Sequence, residues 1–361
     1  MYKIVTVNLG ATSTKIAIFH DRQSVAEKTF NHTKEQLDAA PTHGQQLSMR
    51  AALVNQWLAA LHISLQDISA AVVRMAGLTK CNKSGVYQIG PVLEKDIESN
   101  VDLNGTAGHM SLLGLHLLRA IAPQGNYPIY IVDSPWTDEY TPQARMTGLP
   151  DMHRSCIFHA LNQKAVARKT AAAIGKDYWQ SRIVVAHMGG GVSVAAHDCG
   201  RAVDTCCAGS DQDGPFSATR SGQLPLYPLI RLCMSEKYTE AQMKDLIMNK
   251  GGFYAHLGET DLRVIEQRAA DGDEKADQVI RTFTYQMAKG IGTMCGVLGL
   301  DRVDAIALTG GMAHSERVVG EIRSHIGNFA PVFVYPGEEE SEAMAAGALR
   351  ALTGEEEVMY L

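Results

Sequence analysis

Hydrophobic positions in this chain follow two patterns: short β-branched or aliphatic runs closed by polar turns, and longer stretches with one apolar face. Tyr2–Phe19 is of the first kind. Ile4, Val5 and Val7 lead into Asn8-Leu9-Gly10-Ala11-Thr12-Ser13-Thr14, and Lys15-Ile16-Ala17-Ile18-Phe19 resumes, which predicts strand, turn, strand. Ile183–Ala196 has the same grammar, with Gly189, Gly190 and Gly191 at its centre. A tight hairpin needs positive φ at only one or two positions. Three glycines remove every Cβ and leave bare N–H groups that can surround an anion; a plain flexible hairpin is the competing reading. Two similar units, one in each half, predict an internally duplicated protein with a cleft between the halves.

The remaining pattern fills in around them. Leu47, Val54, Leu58 and Leu61 make Gln46–Leu61 an amphipathic helix,. Ala70–Val73 reads as a buried strand ending at Arg74, and Ile129–Val132 as another ending at Asp133. Ligands of open α/β sheets gather beyond the carboxyl ends of strands. Arg74 is therefore either a solvated strand end or a fixed fork for a carboxylate or phosphate. Asp133 is either a loop cap or an acid for metal or catalytic work. Leu112–Ile121 is helical, with Gly108-His109 just before it, and Pro142 and Pro150 mark a crossing between domains,. Phe158–Ile174 is a helix with Gly175 in its C′ place. His159 stands near its start, where free N–H groups favour anions, although a structural histidine is the commoner case.

Gly214–Gly222 is a loop of small residues around Arg220, and Glu259–Arg263, containing Asp261, reads as a capped helix start,. Ile280, Phe283, Met287, Ile291, Met294 and Leu298 form a buried helical stripe,. Ala305–Leu308 is a strand running into Gly310, Gly311, Met312, Ala313 and His314, then a helix, so that a nucleotide can lie against bare backbone,. Pro331–Tyr335 reads as the last strand, and Glu338-Glu339-Glu340 opens a helix that runs through Leu352 and is capped near Gly354.

Length and composition narrow the class. The 361 residues are enough for two domains, and 45% hydrophobic with 20% charged residues is the balance of a soluble globular protein,. A net charge of -6 without a basic, aromatic-interleaved run gives no support to nucleic-acid binding,. Seven cysteines without metal spacing point to reduced thiols in a cytoplasm, with Cys206-Cys207 structural,. The N-terminus lacks the form of a secretory signal. No segment reaches the roughly 18 apolar residues of a membrane span. A cytoplasmic protein without membrane or nucleic-acid partners is expected.

Together the two hairpin loops and the strand–Gly-Gly–helix resemble the actin-like ATPase superfamily. Within it Phe158–Arg168, Ala186–Gly191, Arg220-Ser221-Gly222, Leu308–Gly311 and Val334–Glu338 are similar to the butyrate kinase family, and the resemblance spans nearly the whole chain. It implies an α/β, duplicated ribonuclease-H-like (actin-like ATPase) fold: two domains with a central nucleotide cleft that closes on binding. The N-terminal domain would be 1–152 plus 340–361, and the C-terminal domain, with the adenosine site, 153–339.

The resemblance also implies roles. Arg74 would hold the carboxylate, Asp133 would be the essential acid, and His159 and Arg220 would serve the transition state. Asn8, Thr12, Ser13 and Lys15 would lie by the phosphates of ATP/ADP, and His187 with Gly189–Gly191 would form the phosphate loop. Asp261 and Arg263 would contact the nucleotide, and Gly310–His314 would hold adenosine. Asn8 and Glu339 would bind Mg²⁺, with Glu338 or Glu340 as alternates. A small carboxylate substrate and a homodimer or larger homo-oligomer are implied too. The chain departs from the family at Ala11, where a serine is usual, at Arg74-Met75-Ala76-Gly77-Leu78-Thr79, which carries an apparent insertion, and at Gly108, where glutamate is frequent. Two other readings stand beside a carboxylate kinase: an ATP-binding relative without catalysis, and a sugar or other small-molecule kinase using Asp133 as general base.

Overall fold

A strand–turn–strand unit occurs in each half of the computed structural model, which describes residues 1–76, 81–101, 105–123, 126–209 and 213–361. The chain divides into two units, Met1–Thr137 with Glu339–Leu361, and Asp138–Glu338. The first holds β1 (Lys3–Gly10), β2 (Ser13–His20), β3 (Gln23–Asn31), β4 (Ala70–Val73), β5 (Val86–Gln88) and β6 (Ile129–Val132). The second holds β7 (Arg182–Met188), β8 (Val192–Asp198), β9 (Arg201–Cys207), β10 (Ala305–Gly310) and β11 (Val332–Pro336), and β12 (Val358–Met359) returns to the first. The family motif residues Gly77, Leu78 and Thr79 lie outside the described residues.

Strand order reveals the duplication. The first sheet runs β12-β5-β6-β4-β1-β2-β3 and the second β11-β10-β7-β8-β9. In each, an antiparallel three-stranded meander (β1–β3, β7–β9) is extended on its first strand by two parallel neighbours (β4 and β6, β10 and β11). The first unit adds β5, antiparallel to β6, and β12 beside it. This is the mixed order of a ribonuclease-H-like sheet, made twice.

Apolar pattern explains where the cores sit. Val5, Val7, Ile16, Ile18, Ala71, Val73 and Ile131 pack with Val54 and Leu58 of the His43–Ala60 helix and Leu113 and Leu117 of the Gly105–Ile121 helix. In the second unit Val184, Ala186 and Met188 pack on the Glu274–Leu298 helix, whose stripe from Ile280 to Leu298 is buried as its spacing predicts. Cys206 and Cys207 sit buried on β9, and all seven cysteines are free thiols. Among the described residues no helix is long and apolar enough to cross a membrane.

Four expectations need correction. Gly108-His109 lies within the Gly105–Ile121 helix, not before it. Pro331–Tyr335, seen as Val332–Pro336, is not the last strand, because β12 follows. The first crossing falls at Thr137/Asp138, earlier than 152/153. Polar side chains of the intervening segment are built into the second unit: Tyr140 O–H meets Thr205 Oγ1 at 2.7 Å, Arg154 pairs with Asp204 at 2.8 Å and Asp213 at 2.7 Å, and Glu139 pairs with the fully buried Lys164. The return crossing falls at Glu338/Glu339, one residue before the expected 339/340.

Candidate active site

In the second unit the Gly189–Gly191 turn joins β7 to β8, and Gly189 N–H closes it on the Gly191 carbonyl at 2.9 Å. What surrounds the turn explains its composition. A Cβ on Gly191 would sit 2.9 Å from His159 Nε2 and 3.2 Å from Arg220 Nη1. A Cβ on Gly189 would sit 2.6 Å from Glu338 Oε1 and 2.9 Å from His187 Nε2. Gly190 faces open space. At Gly189 and Gly191 side chains are absent because two imidazoles, a guanidinium and a carboxylate crowd the turn.

Those groups are held by neighbouring elements. His159 is the N-cap residue of the Ala160–Ala173 helix, and its ring stacks on His187 with centroids 3.8 Å apart and planes 16° apart. His187, at the end of β7, is 1% exposed. Its Nδ1 lies 2.9 Å from Asn162 Oδ1 and its Nε2 3.1 Å from Glu338 Oε1. Arg220 donates from Nη1 to the Ala208 carbonyl at 2.8 Å, which aims the guanidinium along the turn. His159, His187, Arg220 and Gly189–Gly191, scattered in sequence, thus converge.

A cavity of about 750 Å³ adjoins the turn, lined by Gly189, Gly190, Asp261, Arg263, Gly311, Met312, His314 and Glu338 among others. Asp261 caps the Leu262–Ala270 helix and pairs with Arg263 at 2.6 Å, and the Arg263 side chain is exposed. Two residues expected at the nucleotide, Gly310 and Ala313, are not among those lining this cavity. Ala313 is a buried core residue, 3% exposed. Gly310 acts through backbone packing: its φ is +91°, a Cβ there would lie 2.4 Å from the Met188 carbonyl oxygen, and it exchanges two hydrogen bonds with Gly337 at 3.0 and 3.1 Å. Only glycine fits that conformation and approach.

In the first unit Asn8 and Lys15 stand opposite each other across β1 and β2, on the same face,. Asn8 donates from Nδ2 to Glu340 Oε2 at 2.6 Å, and Arg74 Nε, just past β4, lies 3.2 Å from Glu340 Oε1. Glu340, the first residue of the Glu340–Thr353 helix, is therefore the glutamate joined to Asn8; the expected Glu339 is its exposed N-cap residue. Lys15 turns to Glu27 of β3 at 2.8 Å. Asp133 follows β6, 2% exposed, in the left-handed region at φ +42°, and Gly85 N–H donates to its Oδ1 at 2.9 Å. A buried acid held in a sparsely populated conformation is a frequent mark of function.

Thr12, with Ala11, forms the β1–β2 turn and Ser13 opens β2, and behind them lies a residue that the sequence patterns do not single out. Arg50, 0% exposed, donates to the carbonyls of Ser13 at 2.7 Å and Ala11 at 3.1 Å, and to Thr14 Oγ1 at 2.8 Å. Its signal was present: Arg50 stands between Leu47 and Val54 on the apolar stripe, where a charge is out of place. Asn162, Gln163 and Ser193 were likewise passed over, although the first two belong to the family motif.

The donor sets fit the groups the fold implies. Bare glycine at the β7–β8 turn beside imidazole and guanidinium suits a polyphosphate. Asn8, Glu340 and Asp133 offer hard oxygens. No cluster of three or more His, Cys, Asp or Glu suited to a metal occurs among the described residues. A hard divalent cation such as magnesium commonly binds through one or two carboxylates, phosphates and water.

Fold and site together define a phosphotransferase built on the actin-like ATPase fold. In fold the chain is similar to acetate kinase of Porphyromonas gingivalis, with a TM-score of 0.81 at 20% identity, covering 98% of this chain and 100% of that one. The match to the acetokinase family extends over residues 3–330, and the chain belongs to that family. It is 39% identical over 356 residues to butyrate kinase 1 and to butyrate kinase 2 of Clostridium acetobutylicum, each alignment covering 99% of this chain and 98% of the relative.

Proposed function

We propose that this protein transfers the γ-phosphoryl group of ATP reversibly to butyrate or a branched short-chain analogue, giving an acyl phosphate and ADP. A carboxylate oxygen attacks the γ-phosphorus, the bond to the bridging oxygen of ADP breaks, and ADP carries away the electron pair. The acceptor is ionised at neutral pH, so no general base is needed. The obstacle is repulsion between anions, and the residues answer it. Arg74, with Nε on Glu340, presents its terminal nitrogens to the carboxylate,. His159 Nε2 and Arg220 Nη1 approach one point on the glycine turn, where they would take the equatorial oxygens of the transferring group,. Asp133 positions rather than takes a proton, and Asn8 with Glu340 would hold Mg²⁺. When bound, the ion neutralises charge on the phosphates.

The observation that carries this reading is the convergence of His159 and Arg220 on Gly191. A sugar kinase would need a base for a hydroxyl, and a silent relative would have no use for two such donors; the butyrate kinase relatives weigh against both. The same reading makes the protein a cytoplasmic homodimer or larger homo-oligomer.

The test is hydroxamate formation from acetate, butyrate, isobutyrate and hexoses with ATP, Mg²⁺ and hydroxylamine. Butyrate or isobutyrate is expected to give the highest kcat/KM. Arg220→Ala and Asp133→Asn should each lose ~10²–10³ in turnover with nucleotide binding retained. Hydroxamate from no acid, or near-parental turnover in either variant, would overturn the assignment.

A further inference from the structure

The Ala160–Ala173 helix carries three polar residues near its start, Asn162, Gln163 and Lys164, that the proposed chemistry leaves unused. One of them, Gln163, is 0% exposed and hydrogen-bonds away from its own helix. Its Nε2 lies 3.2 Å from the Ser193 carbonyl oxygen and 2.7 Å from Ser193 Oγ. A carbonyl can only accept, so the amide nitrogen of Gln163 faces Ser193 and its oxygen faces the other way. There it meets His197 Nε2 at 3.2 Å. His197 is buried, and desolvation together with the charges of Lys164 and Arg168 holds its imidazole well below the ordinary range. Neutral His197 thus carries its proton on Nε2 and donates it to Gln163.

The consequence passes to Ser193, itself 0% exposed on β8. Its hydroxyl oxygen accepts from Gln163 at 2.7 Å and from the His159 main-chain N–H at 3.4 Å. With both lone pairs used, the O–H is left to donate, and the group facing it is His159 Nδ1 at 2.7 Å. An imidazole nitrogen that accepts cannot also carry the proton of the neutral ring.

We infer that Gln163 and Ser193 are positioning residues that fix His159 as its Nε2–H tautomer, so that neutral His159 presents a hydrogen-bond donor to the Gly189–Gly191 turn. Nε2 is the nitrogen that faces Gly191. The opposite tautomer would put a lone pair against the transferring phosphoryl oxygens, where a donor is required. The stacking of His159 on His187 sets the ring plane, and the Gln163–Ser193 pair sets which edge carries hydrogen. This inference rests on the proposed function for its catalytic meaning, but the tautomer itself does not.

Two measurements test it. Nitrogen-15 NMR of histidine-labelled protein, with the His159 signals assigned from the His159→Ala spectrum, reads the tautomer without turnover. The parent should show Nε2–H, and Ser193→Ala should shift the signals toward a mixture. In the hydroxamate assay Ser193→Ala should lower kcat about tenfold to a hundredfold, less than removal of the donor, with KM for ATP changed less than threefold. In a His159→Ala background the same substitution should cost less than about twofold, because a group acting only through His159 has nothing left to position. Gln163→Met should reproduce the kcat loss and the spectral shift, and serves alone if Ser193→Ala does not fold. An Nδ1–H signal in the parent overturns the inference, and so does a Ser193→Ala loss that multiplies in full with that of His159→Ala. Should no acid give hydroxamate with the parent protein, the proposed function fails while the spectra still decide the tautomer.

Discussion

Gly191→Ala is the most informative single perturbation of this site, because its steric effect can be worked out before the experiment. The φ of Gly191 lies outside the left-handed region, so alanine is compatible with the backbone. The added methyl would stand 2.9 Å from His159 Nε2, 3.1 Å from its Cε1 and 3.2 Å from Arg220 Nη1. Ordinary contact begins at 3.4 Å, so the imidazole must retreat by about half an ångström and the guanidinium by less. The imidazole is poorly placed to retreat, tied to Ser193 at 2.7 Å and stacked on His187 at 3.8 Å. Catalytic donors tolerate about 0.5 Å of error, and a 1 Å misplacement can cost ~10²-fold. With both donors displaced, a fall in kcat of ~10²-fold, or ~2.7 kcal/mol of lost transition-state stabilisation, is expected. Thermal denaturation and KM for butyrate should change little, since the fold and the Arg74 side are untouched. The assay is the hydroxamate trap at saturating ATP and acid. A Gly191→Ala enzyme with kcat within threefold of the parent would refute the placing of His159 and Arg220 as transition-state groups.

Three further outcomes are expected. Arg50→Met strips donors from the Ser13 carbonyl and from Thr14 Oγ1, and should cost ~2–4 kcal/mol in urea unfolding while raising KM for ATP,; a variant as stable as the parent would count against the buried Arg50 hub. Glu340→Gln keeps a hydrogen-bonding oxygen for Asn8 but removes the charge, so the Mg²⁺ concentration for half-maximal rate should rise at least tenfold, and an unchanged Mg²⁺ titration would exclude Glu340 as a ligand. Stability should fall as pH drops below about 6.5. His32, His43 and His197 all have folded pKa values lowered from 6.5, chiefly by desolvation, so the unfolded chain takes up protons first and gains in stability over the native state,. Urea unfolding free energies that stay level or rise between pH 7.5 and 5.5 would contradict this.

Much of the fold was legible because it rests on local signals. Ala70–Val73 and Ile129–Val132 are continuous apolar runs, and both are strands over those same residues. The Ile280–Leu298 stripe is a core helix because its apolar residues recur at helical spacing on one side. β3 was not legible: most of Gln23–Asn31 is exposed, and its few apolar residues, Val25, Ala26 and Phe30, do not alternate with polar ones as a half-buried strand's would,. It forms because the far edge of β2 offers unpaired N–H and C=O groups, a tertiary cause. β12 has only two residues, Val358 and Met359, and exists through β5. In the site, glycine and histidine motifs located the β7–β8 turn, but spacing could not choose among Glu338, Glu339 and Glu340. That choice depends on how the helix start meets β1 and β4. Nor could spacing separate Gly311, which lines the cavity, from its neighbour Gly310, which meets the Met188 carbonyl.

The two hairpin turns share a pattern in sequence, yet they expose their amides by different means. The Gly189–Gly191 turn is bare of side chains and closes on itself, so nothing need hold it from behind. The Ala11–Thr12 turn has side chains and keeps its geometry through Arg50, which draws the Ala11 and Ser13 carbonyls inward. Carbonyl and N–H point opposite ways across a trans peptide, so drawing the Ala11 carbonyl inward turns the Thr12 amide outward, while the amide beside the Ser13 carbonyl, that of Thr14, stays buried within β2. Among the described residues every hydrogen-bond partner of Arg50 is a neutral oxygen: the carbonyls, Thr14 Oγ1 and Gln46 Oε1. Its charge is therefore not cancelled by a bonded carboxylate and adds an attractive field behind the outward amide. On this argument Arg50→Lys, which keeps the charge but not the fork, should restore part of the ATP affinity lost in Arg50→Met while recovering little of the stability. Equal KM values for ATP in the two variants would show that the guanidinium acts by shape alone.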